Sequence, residues 1–184
     1  MLTVLGVDPG LARCGWAVLD LAGQVVRCGC VRTQANKGSV GDEQRRLVEV
    51  TASLRDIVAN ASRVVVEWPS SGGFARGPSV GNALSAGQTG KVAALVYGLA
   101  AAFGRPCSLP SPVTWRTALG AVRGADDLIH AALRLRHARA LAAVRAADEP
   151  HVLDAIGLAE YRLTLAARAK NRESRQLSLT ERRS

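Results

Sequence analysis

The sequence predicts an α/β domain: a mixed five-stranded sheet, with three strands in an antiparallel meander and two running parallel, flanked by helices. Three observations predict it. Apolar, β-branched runs open the chain with only short Gly-containing turns between them, which is the signature of a meander. The later apolar runs, at 63–67 and 106–109, are separated by stretches of helical period, as parallel neighbours require. Two strands also end alike, in an acid close to a Pro: Leu2-Thr3-Val4-Leu5-Gly6-Val7-Asp8-Pro9-Gly10 and Arg63-Val64-Val65-Val66-Glu67-Trp68-Pro69.

Taken in order, Thr3, Val4 and Val7 favour extended backbone, and Pro9-Gly10 forces a turn that leaves Asp8 at the strand tip. Gly15-Trp16-Ala17-Val18-Leu19-Asp20 reads as the second strand and residues 23–33 as the third. Residues 42–60 have helical period, with Leu47, Val50, Leu54, Ile57 and Val58 on one face. The Glu67 strand follows, then a Gly/Ser-rich loop over 70–78. Residues 80–103 read as a long helix rich in Ala and Gly. Its small residues Gly87, Gly90, Ala94 and Gly98 admit a close neighbour, either the sheet or a second copy. A short fifth strand at 106–109 precedes Ser111-Pro112, an N-cap with Pro at the first helical position. Gly120 and Gly124 bracket a break; a helix over 126–144 and a final helix over 149–167 complete the domain. Residues 168–184 are polar and Arg-rich and read as a disordered tail. The order βββαβαβα is the layout of the ribonuclease H-like fold, here as one domain over 1–167.

Composition narrows the function. With 184 residues, 48% of them apolar, the chain is long enough for one substantial core. It contains no run suited to a membrane helix and no signal-peptide layout, and its four cysteines lack zinc-knuckle spacing, so free thiols and a cytoplasmic protein are expected. A net charge of +9, with only Lys37, Lys91 and Lys170 among 24 basic residues not Arg, points to a polyanion such as nucleic acid. Aromatic residues, at 4%, are too few for a single-strand stacking platform.

Two carboxylates at the tips of two core strands are costly unless a cation or proton lies between them. The last helix offers partners. His151 and Asp154 are three apart and share a helical face flanked by Val152, Leu153, Ile156 and Leu158. Asp148 and Glu149 are accounted for as acids at a helix N-terminus. Three carboxylates and an imidazole outline a two-metal site of hard donors that select Mg2+ or Mn2+, the chemistry of phosphodiester cleavage.

The chain resembles the RuvC Holliday junction resolvases. The resemblance rests on Leu5-Gly-Val-Asp8-Pro-Gly10 with Gly15-Trp16, Arg46-Leu47, Val64-Val-Val-Glu67, Asn82-Ala-Leu84-Ser-Ala-Gly87-Gln88, Arg116-Thr-Ala-Leu-Gly120 and His151-Val-Leu-Asp154-Ala155. It implies a homodimer that resolves four-way DNA junctions by paired symmetric nicks with two Mg2+ ions per site, for which Mn2+ would substitute. A branch-migration helicase is a candidate partner. By position it makes Asp8, Glu67, His151 and Asp154 the catalytic metal ligands and puts Arg116 near the scissile phosphate. Arg123 stands in for a second basic position that here reads Asp126-Asp127. The resemblance also places an aromatic after Glu67 at the junction centre, and Phe74, with Arg76 in the same loop, is preferred to Trp68, which is expected to pack. Gly87-Gln-Thr-Gly90-Lys91 is not a phosphate loop, because Ser85 and Val92 break that motif; Lys91 remains a candidate DNA contact. His130 and His137, interleaved with Arg134, Arg136 and Arg139, read as a solvated basic face ahead of a DNA-facing one.

Three other readings compete. A relaxed nuclease acting on flaps and forks is motivated by Asp126-Asp127. A non-catalytic junction-binding protein requires that the quartet bind no metal. An actin-like kinase is disfavoured by chain length.

Overall fold

In a computed structural model the chain forms the expected five-stranded sheet. Residues 1–36, 40–69, 80–120 and 126–181 are described, with side chains except at 80–86, 126 and 175–181. Strands β1 (Thr3–Asp8), β2 (Arg13–Asp20) and β3 (Val25–Arg32) form the antiparallel meander. Helix α1 (Asp42–Asn60) crosses to β4 (Arg63–Val66), and α2 (Val80–Ala102) to β5 (Cys107–Ser108). The sheet order is β3-β2-β1-β4-β5, with β1–β4 and β4–β5 parallel. Helices α3 (Pro112–Ala118), α4 (Asp126–Arg136), α5 (Ala138–Leu141) and α6 (Glu149–Glu181) follow.

Side-chain alternation along β1 and β4 sorts two cores and places the acids. Leu5, Val7, Val64 and Val66 face α1 and α2, against Val50, Leu54, Val92 and Val96. Val4 and Val65 face the other way, into a core with Trp115, Leu133, Val152, Leu153 and Ile156. Because successive strand residues point to opposite faces, Asp8 and Glu67 share the face of Val4 and Val65, beneath α6. Glycine lets α6 press onto that face. A Cβ at Gly6 would lie 2.0 Å from the Ala155 carbonyl oxygen, and one at Gly15 would lie 2.1 Å from that of His151. No side chain fits at either position.

The structure corrects three expectations. The helix expected over 126–144 is two helices, because His137 leaves helical geometry (φ −117°, ψ 22°) and its Nε2 pairs at 2.8 Å with the buried Glu160. The segment expected to be disordered from 168 continues α6 to Glu181, since good helix formers run on from Gly157 with no Pro or Gly to stop them. Trp68 is not packed: it is 41% exposed, its side chain outward while its amide donates to the Pro110 carbonyl at 2.9 Å. The predicted loop at 70–78, with Phe74 and Arg76, lies outside the described residues, as does Arg123. Among the described residues nothing lies within 4 Å of a Cβ placed at Gly87 or Gly98, so neither is a contact with the sheet. The four cysteines are free. Among the described residues no helix is long and apolar enough to cross a membrane.

Candidate active site

The β1–β4 register pairs Val7 with Val66, and one further step sets Asp8 beside Glu67, whose amide donates to the Val7 carbonyl at 3.1 Å. The first turns of α6 descend over both. His151 Nδ1 lies 2.6 Å from Asp8 Oδ2. Asp154, one turn on, is held by other partners: Arg116 Nη2 reaches both its oxygens at 3.3 Å, and His130 Nε2 is 2.8 Å from Oδ1. The four residues predicted from sequence are therefore gathered at one end of the sheet. Asp8, Glu67 and His151 line a cleft of about 330 Å³ together with Gln88 and Thr89 of α2 and with Arg13.

Two residues that the sequence had not assigned to the site hold this arrangement. Trp115, fully buried, donates its indole N–H to Glu67 Oε2 at 2.7 Å, and its ring carries the Arg116 guanidinium 4.8 Å from its centre. His130, expected on a solvated face, instead fixes Asp154 from α4. The only hint in the sequence was Trp-Arg in a short capped helix; nothing local distinguished His130 from His137. Asp148 is buried and does not line the cleft itself. Arg32 Nε donates to its two oxygens at 2.8 and 2.7 Å, and Arg13 Nε is 3.5 Å away. Lys91 is exposed and ion-paired with Glu43 of α1.

Burial sets the protonation chemistry. It raises the Asp8 proton affinity, against the lowering effect of the His151 hydrogen bond, and the like charge of Asp154 raises it further. Burial likewise pushes Glu67 up to about 7, opposed by the Trp115 hydrogen bond and reinforced by Asp8 and Asp154. His151 is raised, first by its hydrogen bond to Asp8. Asp8 and Glu67, two hard carboxylates whose proton affinity burial and neighbouring like charge raise, form with Asp154 a donor set that a divalent cation relieves, so the residues suit such an ion by chemistry. Among the described residues no three His, Cys, Asp or Glu side chains close on a single point.

The model of the family described as crossover junction endodeoxyribonuclease RuvC matches residues 4–96, half of the chain. Among named relatives, the crossover junction endodeoxyribonuclease RuvC of Synechococcus sp. (strain WH7803) is 37% identical over 60 residues, and that of Prochlorococcus marinus (strain MIT 9303) is 40% identical over 60 residues. Each match covers 31% of this chain and 36% of the relative, so the chain spans little more than a third of the length of the curated relatives it matches. Among solved structures, T. thermophilus RuvC in complex with Holliday junction substrate superposes with a TM-score of 0.67 at 19% identity, covering 92% of this chain and 97% of that one. The yeast mitochondrial Holliday junction resolvase Ydc2 gives 0.53 at 12% identity, covering 89% and 82%. Both share the fold.

Proposed function

This chain belongs to the RuvC family, and on that premise we propose that it is a divalent-metal-dependent endonuclease that resolves four-way DNA junctions by paired symmetric nicks. The observation that carries the reading is the gathering of Asp8, Glu67, His151 and Asp154 on one face and at one end of the sheet. The fold around them is that of solved RuvC enzymes. Residues 1–167 are the nuclease domain, and the free thiols fit a cytoplasmic protein.

Asp8, Glu67, His151 and Asp154 would hold the cation, Mg2+ or Mn2+. When bound, such ions activate a water and stabilise the leaving oxygen of a phosphodiester. The chain's own residues do the rest. Arg116, held between Asp154 and the Trp115 ring, is poised to swing onto a phosphate while leaving Asp154 bonded to His130. Trp115 keeps Glu67 aimed along the strand direction, and the His151–Asp8 contact fixes the imidazole. Trp68, exposed one residue beyond Glu67, is an aromatic within reach of an opened base step. The exposed Gly87 and Gly98 of α2 offer a face for a second copy, which a symmetric junction requires. Asp127, exposed near the start of α4, weakens phosphate binding there and favours activity on flaps and forks as the second reading.

The test is cleavage of an end-labelled four-way junction beside linear duplex, flap and fork, in Mg2+, Mn2+ or EDTA. Paired symmetric nicks on the junction alone, lost in EDTA, are expected. Equal cutting of every branched substrate would establish the relaxed nuclease, and tight junction binding with no cutting in either metal would overturn both.

A further inference from the structure

Two cavities of about 440 and 370 Å³ lie end to end along β3, the outer strand of the sheet. They share Cys28 and Ala140, where the thiol of one lies 3.6 Å from the carbonyl oxygen of the other. Their lining includes Arg27, Arg32, Arg136, Arg139 and Arg145. Among the described residues a single carboxylate in the lining, Asp148, stands against these five arginines, and it is itself buried. Asp148 also joins the groove to the cleft. It binds Arg32 on the groove side and Arg13, which lines the cleft beside Asp8 and His151. Basic surface therefore runs from the acidic cleft along the sheet edge.

We propose that this groove along β3 is a track for the phosphodiester backbone of one duplex arm leaving the active site. The proposal rests on the nuclease reading and extends it. The eight residues of β3 span about 26 Å, the axial length of roughly eight base pairs. Of the five arginines, Arg32 and Arg136 are paired with Asp148 and Glu160, and Arg27 lies over the Trp16 ring; the guanidinium groups of Arg139 and Arg145 suit phosphate oxygens, which accept paired N–H donors. Arg139 and Arg145 are exposed, and among the described residues neither has an ion-pair partner, so both can turn to an anion. An acidic peptide adding as a sixth strand fits less well, because α5 closes on β3 at Ala140 and interrupts the edge.

The test uses the full chain in EDTA, binding to four-way junctions with long arms or with arms too short to reach past the cleft, across a salt series. Replacing Arg139 and Arg145 together by Ala should lower the slope of log affinity against log salt by about 2 on the long-armed junction, about one for each phosphate no longer neutralised. Short-armed binding should not change, and Arg139→Lys with Arg145→Lys should keep most of the slope. An unchanged slope in the Ala variant overturns the proposal. So does an equal loss on short arms, or loss of binding to a poly-glutamate peptide with the DNA slope intact. A wild-type protein that cuts junctions while the Ala variant keeps its slope rejects the groove and leaves the nuclease reading standing. A reduced slope in a protein that cuts nothing does the reverse.

Discussion

The two halves of α6 are held by different forces. Through Ala159 the helix buries Val152, Leu153, Ala155, Ile156 and Leu158 and rests on β1 and β2 where Gly6 and Gly15 leave room for it. From Ala166 onward the residues whose side chains are described are exposed, and Arg168 Nη2 makes a contact with the Ala118 carbonyl at the 3.5 Å limit of a hydrogen bond. Propensity alone sustains the far half, whereas tertiary packing fixes the near half to within the width of a methyl group. The proposed site lies where the backbone has no latitude.

That contrast can be broken most severely at Gly6. Gly6→Ala puts a methyl into the Ala155 carbonyl, and lifting α6 to relieve it should cost about 3 kcal/mol or more and separate His151 from Asp8. Denaturant unfolding, together with loss of junction cleavage, checks this. Next in size, Asp154→Asn should leave the fold and DNA binding intact while lowering cleavage more than about a hundredfold, beyond the loss typical of removing an outer support. Cleavage at the wild-type rate would remove Asp154 from the site.

Trp115→Phe sharpens the picture by removing the hydrogen bond to Glu67, together with part of the buried ring that carries Arg116. The indole N–H favours the Glu67 carboxylate, so its loss should move the Glu67 proton affinity further above 7 and shift the acid limb of the pH–rate profile upward. A rate loss of about 10- to 100-fold is expected with it. Without divalent cation, Asp8, Glu67 and His151 all bind protons more tightly folded than unfolded. Their contribution to stability is therefore present at low pH and is lost as pH rises, for Glu67 from about 4.5 through about 7. Melting temperature should fall across that window, and Mn2+ should restore more of it at pH 8 than at pH 5. Smallest of all, ending the chain after Ala167 should change stability by no more than about 0.5 kcal/mol, a shift visible only in careful thermal scans.

How much of this was legible in the sequence follows the range of each interaction. Alternation in Val4 to Asp8 and Val64 to Glu67, and the three-residue spacing of His151 and Asp154, are local patterns, and they identified both the sheet and the quartet. Trp115 and His130 meet their carboxylates across 48 and 24 residues of chain, and no local rule connects them. The break at His137 is equally non-local, since a buried glutamate on α6 holds it open. The error in the tail had the opposite cause: polar composition suggested disorder, although the same residues are good helix formers.

The β1–β4 register also bears on how the protein reaches its native state. Slipping one strand past the other by a single residue would turn Glu67 away from Asp8, to the opposite side of the sheet. A cation bridging the two strand tips would bind the properly aligned sheet and not the slipped one, so the ion would act as a selector among folding outcomes before any DNA is bound. Refolding yield, and not turnover alone, would then depend on the same two acids.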